Sequence, residues 1–385
     1  MEREQAVRLM QNLLKKMVEK EGSDLFITCG FPPAIKVDGT IHKATDEPLL
    51  ADQSAMMVRS IMNDKQVKEF DGTKECNFAI APQGIGRFRV SAFIQQGMVG
   101  AVLRTIKCEI PTLGGLDLPP ILKDVVMNKH GLVIVVGGTG SGKSTTLAAM
   151  IGHRNENSKG HIISIEDPVE FVHPHRGCVI TQREVGVDTE TWHAALKNTL
   201  RQAPDVILIG EIRDRETMEY GIQFSETGHL CLATLHANSA NQALDRIINF
   251  FPEERRTQLL MDLSLNTKAF VSQRLIPREA GVGRVVAMEI MLNSPLIADL
   301  IFKGEVGQIK EIMAKSTRLG MQTFDQAIFS LYEDAVISYE EAMRNADSKN
   351  ELRLRIKLES KRESSITDQQ SESLKILEED SAQSF

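Results

Sequence analysis

Val7, Met10, Leu14 and Met17 recur at helical spacing within residues 4–21, with Leu13 and Val18 beside them, and Gly22 ends the pattern. That is one amphipathic helix. Shorter extended stretches follow: Leu25–Cys29 and Ile35–Val37 read as strands separated by Pro32-Pro33, and Asp38-Gly39 is a hairpin-turn signal leading into residues 40–43. Asp52 is expected to cap a second helix through Ala55, Met56, Val58, Ile61 and Met62. Residues 77–81, 87–93 and 99–106 then alternate apolar and polar positions, with turns at Gly84-Ile85-Gly86 and Gly97. Together these segments predict a small α+β domain over residues 1–110, built on an antiparallel meander.

Residues 111–120 contain three prolines and two glycines and read as a domain linker. Beyond them the pattern changes. Strands are expected at Leu132–Val136, Ile162–Ile165, Val206–Ile209 and Leu230–Leu235, alternating with helices at 144–154, 190–202, 215–226 and 239–250. This alternation predicts an α/β domain over residues 121–346, with a mostly parallel sheet covered on both faces. From Pro252 to Met343 the pattern is helical, interrupted by one strand at Arg284–Ile290. Residues 347–385 are rich in Ser, Glu, Gln and Lys and read as a polar, partly disordered tail. No internal repeat is visible.

Composition narrows the class. Of the 385 residues, 42% are hydrophobic and 25% charged, as in an ordinary soluble globular protein. The net charge of −7 argues against a nucleic-acid partner. The longest apolar run, Leu132 to Val136, is too short to span a bilayer, and the start is polar, so any membrane association is expected to be peripheral. Five cysteines (29, 76, 108, 178 and 231) are scattered without a C-x-x-C pair, which points to reduced thiols in a cytosolic protein and away from a zinc site.

The chemistry is concentrated in one string. A strand of β-branched residues runs into Gly137-Gly138-Thr139-Gly140-Ser141-Gly142-Lys143-Ser144-Thr145, the phosphate-loop pattern. Glycines let the backbone curl and aim successive N–H groups at phosphate oxygens. Lys143 is placed to reach the β- and γ-phosphates, Ser144 to complete a Mg²⁺ shell, and the following helix to present its positive dipole end. The cofactors expected are therefore a nucleoside triphosphate, which the resemblance described below makes ATP, and Mg²⁺. Two further strand ends carry carboxylates: Ile163-Ser164-Ile165-Glu166-Asp167-Pro168 and Val206-Ile207-Leu208-Ile209-Gly210-Glu211. In an open parallel sheet the carboxyl ends of the strands form the ligand rim. Where a metal-binding strand of this type usually ends in aspartate, Gly210 stands, so Glu211 is expected to serve the metal or the attacking water, with Glu166 as the second carboxylate. Either could instead be a structural ion-pair partner. His229 and His236 flank another strand and read either as polar residues packing the sheet or as γ-phosphate sensors. Arg87, Arg89 and Arg104 read by default as a solvated strand face.

These strings match, in order and spacing, the Walker A, Asp box, atypical Walker B and His box of the type II/IV secretion ATPase superfamily. Gly22-Ser23-Asp24-Leu25, Pro32-Pro33, Val37-Asp38-Gly39, Gly86–Phe93 and Thr181-Gln182-Arg183-Glu184-Val185 resemble its PilT/PilU branch of pilus-retraction motors. The resemblance covers roughly residues 5–345. It implies a PAS-like N-terminal domain and a RecA-like P-loop ATPase domain, assembled as a homohexamer at the cytoplasmic face of the inner membrane. It also implies Arg87 and Arg104 as arginine fingers, catalytic roles for His229 and His236, and contact with an inner-membrane pilus platform protein. Leu296–Phe302 lacks two arginines usual in the PilT string, and Gly97 replaces another. With the tail, these departures resemble the PilU side of the branch and imply a PilT-type partner. The alternative is a nucleotide-binding adaptor that couples another motor to the pilus base without essential hydrolysis of its own.

Overall fold

The computed structural model describes residues 2–37, 39–106 and 109–362. Asp38, half of the expected hairpin turn, and Cys108 lie outside the described residues. The chain opens with α1 (Arg3–Glu19), whose Ala6, Met10, Leu13, Leu14 and Met17 are buried at helical spacing. Strands β1 (Asp24–Ile27), β2 (Ala34–Val37) and β3 (Thr40–Lys43) precede α2 (Ala51–Ser60) and α3 (Asp64–Thr73). Asp52 does not cap α2; the N-cap is Leu50 and Asp52 lies in the first turn, where its charge meets the positive helix end. β4 (Glu75–Ile80), β5 (Arg87–Gln95) and β6 (Met98–Ile106) complete a six-stranded sheet of order β3-β2-β1-β6-β5-β4, antiparallel throughout.

The period-two side-chain alternation of β5 decides what its two faces do. Phe88, Val90 and Ala92 join the core with Met10, Leu14 and Phe70. Arg87 and Arg89 therefore occupy the other face, joined by Arg104, which is paired in register with both Arg89 and Asp24.

The expected linker is not free chain. Leu113 and Leu118 are buried with α4 (Ile121–Val126) against the second sheet, because two leucines set between the turn residues provide apolar surface that the sheet can cover. Seven strands make up that sheet: β7 (Gly131–Val136), β8 (Gly160–Glu166), β9 (Cys178–Glu184), β10 (Val206–Ile209), β11 (Leu230–Leu235), β12 (Thr267–Pro277) and β13 (Arg284–Leu292). Their order is β13-β12-β7-β11-β10-β8-β9, parallel except for β13. Every residue of β7, β10 and β11 is buried, as sheets covered on both faces require. The covering helices are α5 (Lys143–Asn157), α6 (Trp192–Thr199), α7 (Arg215–Glu226), α8 (Ala240–Asn249) and α9 (Glu253–Asn266). The fold is thus α/β, a PAS-like antiparallel part followed by a RecA-like mostly parallel sheet.

The C-terminal part departs from a helical run with one strand. β12 begins at the residue after α9 ends, and pairing with β7 on one side and β13 on the other overrides the helical pattern. The remaining helices are α10 (Pro295–Lys303), α11 (Ile309–Lys315), α12 (Phe324–Glu333), α13 (Tyr339–Asn345) and α14 (Lys349–Glu359). α14 corrects the reading of residues 347–385 as a tail too polar to join the core. Leu352 and Ile356 alone are enough to bury one helical stripe against Phe324, Ile328 and Tyr332. Arg274 and Lys310 both bond Asp347 at 2.7 and 2.8 Å, and Arg362 bonds Glu279. The expectations for residues 363–385 lie outside the described residues.

Candidate active site

Four parallel strands deliver the candidate residues to one rim. β7 leads into the phosphate loop, β8 ends at Glu166, β10 is followed by Gly210 and Glu211, and β11 by His236. A cavity of about 430 Å³ lies there, lined by Thr139, Gly140, Gly142, Lys143, Ser144 and Thr145 on one side. Glu166, Asp167, Glu170, Gly210, Glu211 and His236 line the other.

The loop fits a polyphosphate closely. A Cβ on Gly137 would collide with Ser141 Oγ and lie 2.9 Å from the Gln273 carbonyl, so only glycine permits the turn. Gly142 caps α5 with φ of +90°, the left-handed region that glycine enters without strain. Lys143 Nζ donates to the Gly137 and Gly138 carbonyls, each at 2.9 Å. Burial lowers its pKa, an effect that Glu211 and Glu170 oppose.

Ser144 and Glu211 share the cavity, a hydroxyl and a carboxylate suited to a hard cation that takes its remaining ligands from phosphate and water. Among the described residues no three His, Cys, Asp or Glu side chains form a metal cage of their own. Glu211 Oε1 lies 3.5 Å from His236 Nε2, and Arg213 Nε donates to Glu211 Oε2 at 3.3 Å. Arg213 also reaches Asp167 at 3.3 Å and stacks over Trp192, 5.6 Å from the ring centre. His236 has its pKa lowered by burial first and by the neighbouring Lys143 second, which favours the neutral imidazole.

Glu166 differs from the other carboxylates. Burial pushes its pKa up to about 7, against hydrogen bonds from Ser164 and Gln182; the negative Glu170 and Glu184 push it further up. A carboxylate poised there can exchange a proton near neutral pH.

His229, expected at the site, is not brought to it. It precedes β11 and so stands at the far end of the strand from His236; six strand residues separate them by roughly 20 Å. Its Nδ1 lies 3.0 Å from Thr227 Oγ1 and 3.2 Å from the Phe224 carbonyl, a local turn arrangement. Arg87 and Arg104 do not line the cavity either. Arg104 Nε bonds Asp24 at 2.8 Å, and Arg87 Nε is enclosed without a hydrogen bond. The arginine of that face which approaches the site is Arg89, 3.9 Å from both Asp167 and Glu184.

Gln273 went unnoticed in the sequence. Its Nε2 donates to the Ser141 carbonyl at 2.6 Å and so braces the phosphate loop from β12. No local motif announces it; only the unexpected strand places it there. Arg213 and Trp192 were missed for the same reason, since tertiary contact alone joins them to the site.

A sequence profile of the Type II/IV secretion system protein family matches residues 2–289. The Type IV pilus ATPase PilU of Pseudomonas aeruginosa is 58% identical over 376 residues, 97% of this chain and 98% of that protein. The Type IV pilus retraction ATPase PilT of the same organism is 42% identical, covering 87% of this chain and 97% of its own. A crystal structure of the pilus retraction motor PilT with bound ADP superimposes with a TM-score of 0.83 at 38% identity, over 89% of this chain and 98% of that one. The chain therefore belongs to the type II/IV secretion ATPase family, as a nucleotide-binding P-loop ATPase of the PilT/PilU branch of type IV pilus ATPases, on its PilU side.

Proposed function

We propose that this ATPase drives type IV pilus retraction as a homohexameric ring at the cytoplasmic face of the inner membrane, working beside a PilT-type motor and against the pilus platform protein. The observation that carries the catalytic half of this reading is the convergence of Lys143, Ser144, Glu166 and Glu211 on one cavity. Glu166 takes a proton from a water whose oxygen bonds to the γ-phosphorus as the bond to ADP breaks. Lys143 and the loop amides neutralise the charge that develops. Ser144 and Glu211 would hold Mg²⁺, which would supply neutralising positive charge to the phosphates. His236, whose Nε2 lies 3.5 Å from Glu211 Oε1, would report the loss of the γ-phosphate.

No helix among the described residues is long and apolar enough to cross a membrane, which suits peripheral attachment. Partnership is supported by α10. Ser294 caps it and Ile297, Leu300 and Ile301 are buried, whereas Leu296 and Phe302 stand about half exposed and Asp299 pairs with Lys303. In cells holding this protein as their only retraction ATPase, retraction should fail. It should return when a catalytically dead PilT-type partner is added. Normal retraction by this chain alone would overturn the partnership.

Arg87 and Arg104 act, in this reading, on the nucleotide of a neighbouring subunit, which suits their absence from the cavity of their own chain. Arg87→Ala or Arg104→Ala should lower hydrolysis in rings, and mixing either with Lys143→Ala subunits should restore part of it. Mixed rings no more active than the sum of their parts would assign the arginines a local role.

A further inference from the structure

The strand β9 carries Thr181-Gln182-Arg183-Glu184, a string that the reaction as described leaves without a task. β8 and β9 are parallel, with Ser164 opposite Gln182 and Glu166 opposite Glu184. Ser164 Oγ donates to Glu166 Oε1 at 2.6 Å, and Gln182 Nε2 donates to the same oxygen at 3.3 Å. Neither donor is free to leave. Ser164 is buried, and the Gln182 amide is pinned at both ends: Nε2 also donates to the Phe171 carbonyl at 2.8 Å, and Oε1 accepts from His173 N at 2.8 Å. No described residue donates to Glu166 Oε2, although the carboxylate lines the cavity beside Ser144. One oxygen is tied back and the other is left for a proton.

We propose that Ser164 and Gln182 are positioning residues for hydrolysis, a two-donor clamp that fixes Oε1 of Glu166 and presents Oε2, ionised, to the attacking water. This rests on the reading of Glu166 as the base. The surroundings explain why a clamp is required. Glu170, on the segment after β8, and Glu184, at the end of β9, both oppose a negative charge on Glu166, as does burial. Lys143, Arg284, Glu211, Asp167 and His236 share the cavity, with Arg213 beyond them. Hydrogen bonds to the charged form are what offset this repulsion and burial locally. Glu184 anchors the same arrangement, its Oε2 accepting from Val169 N at 3.1 Å, which fixes the segment after Asp167.

The test is the pH profile of kcat/KM for Mg²⁺-ATP hydrolysis by the full chain, because that parameter reports groups of the free enzyme. Ser164→Ala and Gln182→Leu should each lower kcat about tenfold, the effect of one hydrogen bond to a charged group, with nucleotide affinity little changed. Losing a donor to the carboxylate raises its pKa, so the acidic limb should move up by about one pH unit. Ser164→Thr keeps a hydroxyl and should keep the limb in place. A uniform loss at every pH, with the limb unmoved in both donor variants, would overturn the clamp. Should Gln182→Leu fail to fold, Ser164→Ala removes a single hydroxyl and decides alone. Glu166→Gln separates the two ideas: full activity with an unchanged limb would sink the base reading, and the clamp with it.

Discussion

Lys143→Ala is expected to reduce ATP hydrolysis by about 10²–10³-fold or more while the protein remains folded. The side chain makes its hydrogen bonds to the Gly137 and Gly138 carbonyls, on a loop outside the apolar clusters, so its loss removes no core packing. What disappears is the one lysine lining the cavity, the group placed to meet the β- and γ-phosphates. Nucleotide affinity should fall with the rate, because that charge acts in the ground state as well. Steady-state hydrolysis, titration with a fluorescent nucleotide and thermal unfolding measured side by side separate the cases. Near-normal hydrolysis would remove the phosphate-loop assignment; a collapsed unfolding transition would make the loss uninformative and call for Lys143→Gln.

Glu166→Gln should lower hydrolysis by about 10²–10⁴-fold, the usual range for a lost general base, with nucleotide binding retained. The sign of the pH dependence follows from its environment. Burial raises the pKa of Glu166 to about 7, so in the unaltered enzyme the base is lost as pH falls through about 7 and kcat/KM should drop on that side. The amide cannot titrate, so the residual activity of the variant should lack this limb. Equal loss of binding and hydrolysis would reduce Glu166 to a structural role.

Much of the site could be read from the chain because strand ends are local objects. An apolar β-branched run followed by Gly137–Ser144, or by Gly210-Glu211, says where the strand stops and which side chain stands at the rim. What could not be read depends on length and pairing. His229 and His236 look equivalent beside one apolar run, yet six extended residues place them at opposite ends of the strand. That separation could have been drawn from strand rise alone. Asn63 and Gln66 form a capping box that announces α3, a signal present in the sequence and passed over. β12 offered no such clue: Thr267 follows Asn266, the last residue of α9, without a breaker, and only its neighbours β7 and β13 make it a strand. Gln273 was hidden with it.

The docking of α14 changes where this chain can be cut or tagged. A boundary drawn where composition turns polar, before Asp347, would remove Asp347, Leu352 and Ile356 and expose Phe324, Ile328 and Tyr332. It would also take Arg362 from the face of Tyr332, 4.6 Å from the ring centre. The consequence would not stay at the terminus. Arg274, which holds Asp347, is the residue after Gln273, which braces Ser141. A fluorophore or affinity handle for following the motor in living cells therefore belongs beyond Arg362, where it leaves β12 and the loop it steadies untouched.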